Sequence, residues 1–227
     1  MTRRGFSQEV DSEDESDDTP RLRIIQGHPW TIGKAQRNRR LAASSLSEYA
    51  HSIRQFGDTV LHVPAQRPNL TERGYELLVR DMFTSMVKAH GIGIAAPQIG
   101  VPLRVVLIDV GGFGIVAVNP EVEWLESLEV TTEGCLSLKG YAGYVHRPTV
   151  AKLYAHDIRG KKFVAEGRGY AAQALAHETD HINGIMYPNR LSSPTDLVKL
   201  DDDGEPIVLH ARRVERPIRL PLANPIG

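Results

Sequence analysis

Residues 169–184 read Gly-Tyr-Ala-Ala-Gln-Ala-Leu-Ala-His-Glu-Thr-Asp-His-Ile-Asn-Gly, an alanine-rich run without proline that ends on Gly184. Alanine loses no side-chain entropy in a helix, and glycine takes the left-handed conformation that closes one. The run is therefore predicted as a single helix from Gly169 to Asn183, with Gly184 as its C-cap. Its second half, His177-Glu178-Thr179-Asp180-His181, sets two imidazoles four residues apart. Four residues advance a helix by about 6 Å, so both rings face the same way and can share one metal ion, with Glu178 beside them. The same residue types also occur on solvated helix faces that hold no metal.

Two ligands leave a divalent ion under-coordinated, which directs attention to a third. A metzincin-like continuation keeps Gly184 but has Tyr187 where the last His would stand, and Glu205 lies in the turn-like stretch from Asp201 to Pro206. Cys135 remains, and a thiolate suits zinc or ferrous iron. It is the chain's single cysteine, which rules out an internal disulfide and agrees with a reducing compartment. Taken alone it reads first as a small buried hydrophobe.

The rest of the chain frames this pattern. With 227 residues, 41% of them hydrophobic and 24% charged, it has the balance of one globular domain with extensions. No apolar run approaches the roughly 18 residues of a membrane span and no secretory signal stands at the start, so a cytoplasmic protein is expected. A formal net charge of -1 gives no global field for nucleic acid, although Arg21, Arg23, Lys34, Arg37, Arg39 and Arg40 form a local basic patch. Residues 1–20 are acidic and nearly free of apolar side chains, the composition of a disordered tail. Residues 21–55 are expected to be an N-terminal extension, helical from near Arg40 through Leu46, Ala50, Ile53 and Phe56.

Thr71 is an N-cap candidate for a helix carrying Leu78, Met82 and Met86, with Gly91 its C-cap candidate. The period then shortens towards two. Strands are expected over Leu103–Asp109 and Gly114–Val118, the second closed by Asn119-Pro120, and extended chain leads from Val122 to Cys135 at a strand's end. Thr149–Ala155 and Lys162–Glu166 read as a hairpin, whereas 188–227 has no clear period.

Three motifs in order, Gly91-Ile92-Gly93-Ile94-Ala95-Ala96-Pro97-Gln98, Glu133-Gly134-Cys135-Leu136-Ser137 and His177-Glu178-Thr179-Asp180-His181, resemble those of the peptide deformylase family. The resemblance runs from about Phe56 to Leu191 and implies an α+β fold, with antiparallel β-sheets around a central helix that carries the H-E-x-x-H metal-binding motif. It implies a catalytic domain over 56–195 and leaves 196–227 as a C-terminal tail. The activity implied is hydrolysis of the N-formyl group from the formylmethionine of nascent chains, with release of formate.

Cys135, His177 and His181 are implied as metal ligands with a water in the fourth position. Glu178 is implied as general base and acid, and Gln98 with the backbone N–H of Leu136 as oxyanion donors. Gly91, Ile92 and Gly93 are implied to flank the substrate; Arg147 contacts it or braces the site, and Glu133 and Asp180 orient ligands or are plain solvated carboxylates. One ferrous ion per chain is the family's usual metal, with Zn2+, Ni2+ or Co2+ able to take the same ligands. A monomer, with ribosome association and without membrane or specific nucleic acid partners, is the expectation.

Departures from the family pattern are Ala176 before the first His, Thr179 inside the motif, Lys139-Gly140-Tyr141-Ala142 in place of a Pro-containing segment, and Pro188. Two other readings stay open at this point, a cysteine hydrolase with Cys135 as nucleophile and a non-catalytic metal-binding protein.

Overall fold

The computed structural model describes residues 21–29, 31–32, 50–69 and 75–206. Its strands are β1 (Arg21–Gln26), β2 (Thr31–Ile32), β3 (Gly93–Ala95), β4 (Val105–Val110), β5 (Phe113–Cys135), β6 (Leu138–His156), β7 (Lys162–Arg168) and β8 (Leu197–Lys199). Its α-helices are α1 (Tyr75–Lys88) and α2 (Tyr170–Ile182). The strands join one antiparallel network in the order β1-β7-β6-β5-β4-β3, with β2 also on β5 and β8 on β6. The fold is α+β.

Alternation along the strands decides which helix each residue meets. Ile94, Val105, Leu107, Val116 and Val118 pack with Val79, Met82, Phe83 and Met86 of α1. Their neighbours Ala95, Val106, Ile108, Ile115 and Ala117 pack with Ala171, Ala172, Leu175 and Ile182 of α2. Side chains of successive strand residues point to opposite faces, and here both faces are covered, so residues 105–108 of β4 read as a continuous apolar run. The small residues of α2 let it approach closely: a Cβ on Gly167 of β7 would lie 2.8 Å from the backbone of Ala171 and Ala172. At the far end of α2 the Ile182 carbonyl accepts from Ala65 N–H at 2.9 Å and from Arg104 Nη1 at 3.3 Å, which satisfies a terminal carbonyl and sets the helix against the sheet.

Several local expectations change. Residues 21–26, at the start of the expected N-terminal extension, form an edge strand on β7, because Leu22 can bury in the α2 core while Arg23 pairs with Glu166. The helix expected from near Arg40 lies largely outside the described residues, and 50–58 are not helical. Thr71 is likewise outside them. Asn119-Pro120 does not end a strand: Asn119 takes φ 53, the register shifts between Val118 and Glu121, and β5 continues in a new direction. Beyond α1 the left-handed position is His90, φ 58, so Gly91 is not the left-handed cap. Leu197–Lys199, expected within a tail, pairs with Tyr141–Gly143 of β6.

Candidate metal centre

Cys135 is the last residue of β5 and pairs with Leu138 across the turn Leu136-Ser137. His177 and His181 lie one turn apart on α2, which packs against that hairpin. Their ring centroids are 4.9 Å apart and nearly perpendicular. Cys135 Sγ is 3.2 Å from His181 Nε2, and one donor atom from each of the three residues lies within 4.8 Å of the others. His177 Nδ1 donates to Glu133 Oε2 at 2.9 Å, which leaves Nε2 as the ring nitrogen available on the side of Cys135. Tyr187 stacks on His177 with centroids 6.4 Å apart and planes at 26°.

The donors' electrostatics fit a cation. Burial would push the Cys135 thiol up, but the charge on His181 and hydrogen bonds from both imidazoles outweigh it, and the thiol is held well below its ordinary value. Burial opposes charge on His177 as well, yet Cys135 and Glu133 hold its pKa well above the ordinary imidazole value. A thiolate and two imidazoles converging at this distance are the donor set of a zinc or ferrous site, so these residues fit a metal.

Glu178 is 5% exposed, and its Oε2 has no hydrogen-bond partner among the described residues. Burial raises its carboxyl to about 7, partly offset by the two imidazoles. Gly93 makes room for it, since a Cβ there would lie 2.8 Å from Glu178 Cδ. Gln98 is turned by its own loop: its Oε1 accepts from Ala95 N–H at 2.8 Å, and its Nε2 donates to Ser137 Oγ at 3.2 Å and Cys135 Sγ at 3.6 Å. The amide N–H groups are thereby aimed at the cysteine.

Beneath these residues lies a buried charge network. Arg147 donates to Glu133 through Nε at 2.7 Å and Nη2 at 3.0 Å, and to Asp180 Oδ2 through Nη1 at 2.7 Å. Arg190 holds the other side of Asp180, at 2.6 and 3.1 Å. The two carboxylates over-determine Arg147 despite its complete burial, and in return Arg147 and His177 bring Glu133 down to about 2 against the effect of burial. Arg147 is therefore buried under the site and lines no part of the cleft, a placement that favours the brace reading over substrate contact. Glu133 and Asp180 are not solvated carboxylates.

A cleft of about 370 Å³ opens on the donors, with Gly91, Ile92, Gly93, Gln98, Cys135, Leu136, His177 and Glu178 in its walls. Gly91 serves close packing, since a Cβ there would meet Leu136 Cδ1 at 2.7 Å. The cleft also takes in Tyr170, Gln173 and Ala174, which sequence reasoning had not singled out. They precede His177 by seven, four and three residues, so helical spacing carried that signal. Arg190 and Leu200 had none, because their placement depends on chain segments distant in sequence. Pro188 sits in the first turn of the 3-10 helix Tyr187–Arg190, where its missing N–H costs nothing.

The family model described as "Polypeptide deformylase" matches residues 50–196. Peptide deformylase 1 of Clostridium acetobutylicum is 39% identical over 141 residues, covering 62% of this chain and 94% of that protein. The peptide deformylase of Lachnoclostridium phytofermentans is 38% identical over 157 residues, 68% of this chain and 96% of its own. Among solved structures, the peptide deformylase of Thermotoga maritima is 34% identical with a TM-score of 0.61, covering 63% of this chain and 99% of that one. The Synechococcus elongatus peptide deformylase in complex with actinonin is 32% identical with a TM-score of 0.61, covering 63% and 80%.

Proposed function

The chain belongs to the polypeptide deformylase family, and from that premise we propose how its own residues divide the work of a metal-dependent amide hydrolase that removes the N-formyl group from nascent polypeptides. The observation that carries the reading is the convergence of Cys135, His177 and His181 donor atoms within 4.8 Å beside a buried, unpartnered Glu178 oxygen.

Cys135 Sγ at the end of β5 and His177 Nε2 and His181 Nε2 on α2, the fold's central helix, would hold the ion. When bound, a divalent ion supplies Lewis acidity that brings proton loss from water into the neutral range. Glu178, poised near neutrality, accepts a proton on its carboxylate and returns it to the departing amine nitrogen. Gln98 Nε2 and the Leu136 backbone N–H donate to the oxygen of the formyl group as negative charge develops there. Gly91, Ile92 and Gly93 take the peptide as an added strand, which fits the position of β3 at the edge of the sheet. Glu133, Arg147 and Asp180 hold the imidazole of His177 in its working tautomer.

Ferrous iron is the proposed native ion, in a monomeric cytoplasmic enzyme that meets its substrates at the ribosome. No helix among the described residues is long and apolar enough to cross a membrane. The proposed catalytic domain is 56–195, preceded by a tail over 1–20 and an extension over 21–55.

The test is formate release from formyl-Met-Ala-Ser by iron-loaded protein with oxygen excluded. Turnover that a chelator abolishes is the expected result. Release that survives chelation and ends with thiol alkylation would transfer Cys135 to the role of nucleophile.

A further inference from the structure

The departure at Lys139-Gly140-Tyr141 forms a distinct structure at the mouth of the cleft. Across the β5–β6 hairpin Cys135 pairs with Leu138 and Gly134 with Ala142, so these three residues of β6 bulge out with no counterpart on β5. The bulge is held from outside by β8: Tyr141 pairs with Lys199, and Leu200 N–H donates to Gly140 O at 2.8 Å. Leu200 is fixed in turn by its bridge to Pro206, closed by Asp201 Oδ1, which accepts from the N–H groups of Asp203 at 3.0 Å and Glu205 at 2.8 Å. Leu138, Lys139, Gly140, Tyr141 and Leu200 thus make one wall of the same cleft that contains Cys135, His177 and Glu178.

We infer that this wall, and Leu200 above all, determines specificity for the residues that follow formylmethionine, favouring apolar side chains there. The inference rests on the deformylase reading and names a further part of its substrate. Leu138, Tyr141 and Leu200 are each partly exposed, so they offer apolar surface that a side chain in the cleft would cover. An extended peptide advances about 3.3 Å per residue. The wall starts at the cross-strand partner of Cys135 and runs outward, so a substrate whose formyl group is at Cys135 meets it with its second and third residues. Lys139 of the bulge also lines the cleft, whereas Asp201, Asp202 and Asp203 beyond Leu200 are exposed outside its lining, so uncharged peptides isolate the apolar contact.

Steady-state kinetics of the metal-loaded full-length protein on formyl-Met-Leu-Leu and formyl-Met-Ser-Ser test it. The leucine peptide is expected to have about tenfold higher kcat/KM, carried mainly by a lower KM, on the scale of a partly covered leucine. Leu200→Ser should cut kcat/KM for the leucine peptide at least fivefold more than for the serine peptide, while Leu200→Met, which fills the same space, keeps the preference. Equal kcat/KM on the two peptides, equal losses on both in Leu200→Ser, or a Leu200→Met enzyme that behaves like Leu200→Ser would overturn the wall. Formate from neither peptide would instead overturn the deformylase reading beneath it.

Discussion

Glu178 and Arg147 are both buried charges, and their surroundings give them opposite tasks. Glu178 has an oxygen with no partner and a carboxyl raised to about 7 by burial, the state of a group that must exchange protons. Glu178→Gln keeps the shape and leaves the three donor residues untouched. It should retain one metal per chain and lose about 10²-fold or more in turnover, measured as kcat beside the metal content; a near-normal kcat would remove the proton-transfer role. Arg147 is fully paired by Glu133 and Asp180. Arg147→Met leaves Glu133 with His177 alone and Asp180 with Arg190 alone, and should cost about 3–5 kcal/mol of stability, read from urea unfolding. Ordinary stability in that variant would mean that Arg190 and His177 alone suffice for the two acids.

At the scale of elements, the N-terminal strand separates two segments that composition makes look continuous. β1 pairs with the edge of β7 and contributes Leu22 to the α2 core, whereas residues 1–20 carry the acidic composition of a tail. Removing 1–20 should leave the melting temperature and turnover nearly unchanged. Removing 1–26 should cost about 2 kcal/mol through the lost burial of Leu22, a fall of roughly 4–8 °C for a chain of this size. Equal melting temperatures for the two truncations would show that β1 adds nothing to the sheet's stability. The bulges in β5 belong to the same scale. Asn119 and Glu126, with φ 53 and 59, stand at or inside its register shifts and let one strand pair with β4 at one end and turn towards Cys135 at the other.

For the whole molecule, the proposed function expects the converging chain segments to crowd the acyl side of the reacting carbon. Leu136 follows Cys135, Gly91 packs against Leu136, and Gly93 gives its space to Glu178. A formyl hydrogen needs no room there, whereas an acetyl methyl does. Formyl-Met peptides should be cleaved at least about 10³-fold better than acetyl-Met peptides in kcat/KM, a difference of about 4 kcal/mol in transition-state free energy. Comparable rates under the same anaerobic conditions would indicate a broader amidase. The sequence by itself determined the helix with its paired histidines, the cysteine at a strand's end and the order of the three motifs, because helical period, glycine placement and ligand chemistry are local properties. Only the tertiary structure decided that Arg147 is buried between Glu133 and Asp180, that Arg190 shares Asp180 while Ser137 accepts from Gln98, and that Leu200 reaches the cleft. Each of those depends on which distant segment covers a side chain or receives its hydrogen bonds, and burial and pairing of that kind leave no periodic trace along the chain.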